Sequence, residues 1–135
     1  MAYFLLKTEP STYSWADLVK AERGTWDGVK NPTAVANIRT ARKGDLVVVY
    51  HTGDEKAAVG VAEVVSDAYA DPKDAKLAVF DLAPRVPLAQ PVTLAQLKAA
   101  PAFASSPLVR IGRLSVVALD AAQWKALLSL AQTKL

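Results

Sequence analysis

The sequence predicts an α+β fold, a small mixed or antiparallel β-barrel with helices packed around it. Three observations lead there. Apolar periodicity and capping signals read in the order β α α β β β α β α, so strands outnumber the crossover helices that a doubly wound sheet needs. The chain has 135 residues, 52% of them apolar, which suits one core that removes roughly two thirds of the unfolded surface from water. No linker, repeat or low-complexity stretch divides it, so residues 1–135 read as a single domain.

Each element has its own signal. "AYFLLKT" (Ala2 to Thr8) is a short apolar run that reads as a buried strand, stopped by Glu9-Pro10. Ser14 with Asp17 caps a helix on which Trp15, Leu18 and Val19 share a face, ending near Arg23-Gly24. Asn31-Pro32 is an N-cap with proline at the first helical position, opening the helix "PTAVANIRTARK" with Val35 and Ile38 inward. "DLVVVYH" and "AVGVAEVVSDAY" (Ala58 to Tyr69) form a hairpin across "TGDEKA". "LAVFDLAPRVPLA" carries two prolines, which mark an edge or bent strand. Thr93 with Gln96 caps a short helix, "PAFASSPLVRIG" reads as a loop and "RLSVVAL" as the last strand. Asp120 with Gln123 caps a C-terminal helix that carries Trp124 inward.

Composition excludes several function classes. The absence of cysteine removes disulfides and thiolate metal sites, and the single histidine, His51, argues against a histidine-rich metal centre. No metal and no cofactor is expected. "MAYFLLKTEP" has no signal-peptide pattern, and no apolar run approaches a membrane span, so a cytoplasmic protein without a membrane partner is expected. The net charge is +3, with acids and bases evenly mixed along the chain. A polyanion would therefore have to be held by a local patch or pocket rather than by bulk charge.

No G-x-S-x-G elbow, Walker loop, G-x-G-x-x-G or H-E-x-x-H is present, so any hydrolytic reading rests on unpatterned residues. The N-terminal third is rich in something else. "LLKTEP", "YSW", "TWDGVKNPTA" and "YHT" put aromatic rings beside clustered polar donors at chain turns. That combination suits a flat polar ring. Its face stacks on Trp or Tyr, and its edge meets fixed groups such as Lys7, Thr8, Asn31 and the backbone around Gly28. Trp15, spaced with Leu18, fits the core as well as a site. Trp26, among polar neighbours, points to a site.

Taken together, "YFLLKTEPSTYSWADL", "TWDGVKNPTA", "KGDLVVVYHTGDEKAAVGVAEVV", "AYADP" and "PLVRIGRLSVVAL" resemble the EVE domain, a PUA-like β-barrel related to YTH and ASCH domains. The resemblance spans nearly the whole chain. It implies non-catalytic binding of a modified base in DNA or RNA: methylated or hydroxymethylated cytosine, with methylated adenine as a further candidate. The implied pocket is lined by Lys7, Thr8, Glu9, Tyr13, Trp15, Trp26, Gly28, Val29, Lys30, Asn31, His51, Thr52, Arg113 and Ser115. The family pattern leads us to expect serine where Thr8 stands and arginine where Lys30 stands. Lysine keeps the charge but loses the two-pronged grip of a guanidinium. The target base would be flipped from a duplex or come from a single strand, and a monomer is expected.

Two other readings stand beside it. ASCH-type relatives include amidohydrolases using lysine, glutamate and threonine, which Lys7, Thr8 and Glu9 supply; strand neighbours, however, point to opposite faces. The other is a plain protein-interaction module.

Overall fold

The computed structural model describes residues 1–110 and 114–135. Its strands are β1 (Tyr3–Thr8), β2 (Gly24–Trp26), β3 (Leu46–His51), β4 (Ala57–Val64), β5 (Tyr69–Asp71), β6 (Asp74–Thr93) and β7 (Val116–Leu119). The helices are α1 (Trp15–Ala21), α2 (Pro32–Arg39), α3 (Leu94–Ala99), α4 (Pro107–Arg110) and α5 (Ala121–Leu130), with a 3₁₀ turn at Pro101–Phe103.

The sheet runs β2-β6-β4-β3-β1-β7, with β5 added to β6. Among the described residues only the β1–β3 pair is parallel, Tyr3 facing Leu46 and Thr8 facing His51; the other pairs are antiparallel. The sheet curls into an open half-barrel, and α2 packs against both β6 and β7, near its two ends. Asn37 on α2 donates its side-chain amide to the Val116 carbonyl of β7 at 2.8 Å, satisfying a carbonyl at the edge of the sheet.

Burial explains the apolar runs. Phe4, Leu5 and Leu6 are all buried, as is every residue of β3. A strand covered on both faces needs no alternation, so its sequence reads as continuously apolar. Trp124 stacks on Tyr3, ring centroids 4.7 Å apart, and lies in the core as expected.

The caps form as read. Ser14–Asp17, Thr93–Gln96 and Asp120–Gln123 are reciprocal capping boxes. The Asn31 side-chain oxygen accepts the N–H groups of Thr33 and Ala34.

Other expectations need correcting. Gly24–Trp26 is an edge strand on β6, where a turn between helices was expected; three residues carry too little pattern to announce a strand. The hairpin strand stops at Val64, and Tyr69 begins a separate strand, β5. β6 runs well past the expected "LAVFDLAPRVPLA", and its pairing with β4 slips in register near its prolines. α2 ends at Arg39 rather than Lys43, and α4 replaces part of an expected loop. Val19 is 46% exposed while Leu18 is buried, so α1 does not bury the face assigned to it. Arg113 and the start of the expected last strand lie outside the described residues.

Candidate functional site

A cleft of about 640 Å³ opens where the half-barrel fails to close. Its walls come from both ends of the sheet. The end of β1 and the turn after it supply Lys7, Thr8, Glu9, Thr12 and Tyr13; β2 supplies Gly24, Thr25 and Trp26; the loop before α2 supplies Asp27 to Lys30; and Ser115 precedes β7.

Local bonds fix the turn after β1. The N–H groups of Thr12 and Tyr13 both reach the Glu9 carbonyl at 2.9 Å. The Thr8 hydroxyl donates to the Tyr13 carbonyl at 2.7 Å. The Glu9 carboxylate accepts the Ser11 N–H and hydroxyl at 3.1 and 3.0 Å. These bonds, the Ser11 N–H first, hold the Glu9 carboxyl below its ordinary range. The Tyr13 phenol packs on Gly24, where an added Cβ would lie 2.9 Å from its oxygen. Burial, aided by nearby Asp17, raises the Tyr13 pKa, so the phenol stays a neutral donor.

The opposite wall is pinned from below. Asp81 on β6 accepts the Thr25 hydroxyl at 2.9 Å, the Tyr69 phenol at 2.7 Å and Arg23 at 3.0 Å. Burial pushes the Asp81 carboxyl up, but the bonds from Tyr69, Arg23 and Thr25 outweigh it and leave the pKa lowered. The next residue after Thr25 is Trp26, opposite Phe80 in the register. Trp26 is only 9% exposed and belongs to the core cluster, yet it lines the cleft. It is the floor of the site rather than a freely displayed ring. Beyond it Gly28 turns at φ 73°, a left-handed conformation suited to glycine, with nothing within 4 Å of where a Cβ would point. Val29 is buried within that wall, and Lys30 is exposed.

Lys7 borders the seam. Its N–H donates to the Ser115 carbonyl at 2.8 Å, and its ammonium lies 5.9 Å from the Tyr50 ring centroid. Partial burial lowers its pKa.

Among the described residues of the implied pocket, four do not line this cleft. Asn31 spends its side-chain oxygen on the α2 cap. Thr52 ties β3 to β1, its N–H reaching the Thr8 carbonyl at 2.9 Å. The Trp15 indole lies directly over Gly60 of β4, where an added Cβ would stand 2.4 Å from ring carbons. His51 Nε2 accepts the Trp15 N–H at 3.0 Å, and Nδ1 stands 3.0 Å from Glu55. An accepting Nε2 requires the neutral ring with its proton on Nδ1, so the Glu55 contact is a hydrogen bond from imidazole to carboxylate. Thr12, Gly24, Thr25 and Asp27 line the cleft without having been assigned to the implied pocket. Each adjoins a residue that was, except Gly24, which reads as a helix stop and acts as the seat of Tyr13.

The site thus offers two aromatic side chains, carboxylates and ammonium groups of both signs, hydroxyls and turn backbone. That set can hold a planar ligand with a polar edge.

The chain matches the EVE domain over residues 2–130. It is 39% identical to Rpa0253 from Rhodopseudomonas palustris, whose structure aligns over 98% of this chain and 94% of that one with a TM-score of 0.91. Human THYN1, solved in complex with DNA containing 5-methylcytosine, aligns over 100% of both chains with a TM-score of 0.89 at 22% identity. An ASCH protein from Zymomonas mobilis aligns more distantly, over 95% of this chain and 94% of that one, with a TM-score of 0.59 at 15% identity. No curated protein sequence matches at a significant level. The curled mixed sheet with flanking helices is the PUA-like fold, shared with these structures. With its sequence matched almost from end to end, the chain belongs to the EVE domain family.

Proposed function

We propose that the cleft binds a modified nucleobase in DNA or RNA without catalysis, with methylated or hydroxymethylated cytosine as the leading ligand and methylated adenine as a further candidate. The observation that carries this reading is the composition of the seam: Tyr13 and Trp26 beside Lys7, Thr8, Glu9, Asp27 and Lys30 around about 640 Å³, a volume in the usual range for small-ligand pockets, about 300–1,000 Å³. The THYN1 complex with methylcytosine-containing DNA supports it from a protein of the same fold. A base must leave its stack to enter, and contact with the aromatic floor offsets part of that cost of a few kcal/mol. A methyl group adds about 1 kcal/mol when buried against that floor.

The chemistry of the cleft favours binding over hydrolysis. The Thr8 hydroxyl directs its proton to the Tyr13 carbonyl, and the Glu9 carboxyl is biased toward the ionised form, a weak base. Trp15, Asn31, His51 and Thr52 then act from behind the walls, holding α1, α2 and the end of β1 in position.

The test is a titration of matched oligonucleotides, single-stranded and duplex, carrying unmodified cytosine, 5-methylcytosine, 5-hydroxymethylcytosine or N6-methyladenine. Tighter binding of one modified strand supports the reading. Equal affinity across the panel at physiological salt sinks it.

A further inference from the structure

The cleft itself is close to electrically balanced: Lys7 and Lys30 stand against Glu9 and Asp27 among its described residues. The cationic excess lies beside it, in two smaller cavities that each share one lysine with the cleft. Lys7 also borders a cavity of about 200 Å³ with Lys56 and Lys98 at its edge and Tyr50, Leu94 and Leu108 among its walls. No acid is among the described residues lining it. Lys30 in turn borders a cavity of about 470 Å³ whose lining includes Arg39, Lys76 and Asp74. Asp74, the first residue of β6, is exposed, and one of its carboxylate oxygens accepts the Lys76 N–H at 3.0 Å, so one acid stands against three cations there. Arg39 donates to the Lys76 carbonyl at 2.8 Å, which holds its guanidinium at that wall.

We infer that these cavities are phosphate-binding subsites flanking the base cleft, which hold the backbone of the strand whose base the cleft takes. The strand runs from Lys56 and Lys98 across Lys7, over the cleft, and past Lys30 to Arg39 and Lys76. This inference rests on the proposed base site and adds the path of the backbone. The physical logic is a division of labour. Phosphate contacts give affinity and register without regard to sequence, while the central cleft reads the base. A chain with a net charge of only +3 can hold a polyanion in this way because its cations are gathered where the backbone passes. Phosphate groups spaced along a strand are the ligand chemistry that fits two separate cationic cavities joined through one base-sized cleft.

The experiment compares wild type, a Lys56→Gln/Lys98→Gln double variant and Lys76→Gln. Each is titrated at several salt concentrations with a 5-methylcytosine oligonucleotide, its unmodified counterpart and free 5-methyl-2′-deoxycytidine. The expected result is that the oligonucleotides bind more tightly than the nucleoside. The slope of log K against log salt should fall by about 0.7–0.9 for each lysine removed that contacts a phosphate. The loss should be equal for modified and unmodified strands, so the preference between them is unchanged. If wild type prefers the methylated strand but neither variant changes the slope, or if the nucleoside binds as tightly as the strand, the phosphate path is overturned while the base site stands. If wild type shows no preference but the slopes fall as stated, the base reading fails and the path survives. Absence of binding to any strand removes both.

Discussion

The imidazole Nε2 of His51, at the end of β3, accepts the backbone N–H of Trp15, the first residue of α1, at 3.0 Å. This bond joins a sheet strand to a helix start, where N–H groups have no partner within the helix. Replacing His51 with Phe leaves that N–H without its acceptor and is expected to cost about 1–3 kcal/mol. Glu55→Gln should cost less, because its amide oxygen still accepts from Nδ1. Urea denaturation of both variants checks the order; equal losses would remove the special role of Nε2.

Gly60 and Trp15 make the second contact that seats α1. A methyl group at Gly60 would stand 2.4 Å from the indole carbons, so Gly60→Ala forces the ring or β4 to move, an overpacking cost of about 1–3 kcal/mol or more. The double variant Gly60→Ala/Trp15→Ala should show a favourable coupling, losing less than the sum of its single losses. Thermal melting of the four proteins in the cycle measures it, and simple additivity would contradict the contact.

Asp81 supplies a pH-dependent stability. Its folded pKa lies below the ordinary 3.8, so its contribution is present above that value and fades as pH falls through the folded pKa. Arg23 is 60% exposed, and that pair by itself is worth at most about 1 kcal/mol. The bonds from Thr25 and Tyr69 carry the rest. Asp81→Ala is expected to lower stability at pH 7 by about 1–3 kcal/mol and to flatten the wild-type loss of stability below pH 4. Denaturation midpoints between neutral and acidic pH test both statements; an unchanged acid slope would assign the loss to other carboxylates.

Trp26 has two roles that one substitution cannot separate. It belongs to the core and lines the cleft, so Trp26→Ala should cost about 3–5 kcal/mol as a cavity mutation and obscure any binding effect. Trp26→Phe keeps an aromatic fill with a smaller face. The expected result is a folded protein with a several-fold weaker preference for the modified strand and an unaltered salt slope. A preference equal to wild type would move base recognition to Tyr13.

The sequence by itself determined the local elements and the list of wall segments. Ser14, Asn31, Thr93 and Asp120 mark helix starts because a side-chain oxygen there serves N–H groups two or three residues away, a requirement that involves no distant partner. The buried strands read clearly because β1 and β3 are covered on both faces. The turn "TWDGVKNPTA" and the strand end "KTEP" could be seen as unusual for a core, and both border the cleft. Tertiary structure alone decided which of those residues face the same space. β2 exists only because Thr25 and Trp26 pair with Asp81 and Phe80, more than fifty residues away. Trp15 and His51 have the residue types of a site but meet Gly60 and each other outside the lining of the cleft, while Gly24 and Thr12, which look unremarkable in the sequence, line it. The physical reason is that capping and strand burial are settled within a few residues. The cleft, in contrast, is the gap left where a curled sheet ends, and its lining depends on the pairing of β2 with β6 and on α2 packing against β6 and β7, all contacts remote in the chain.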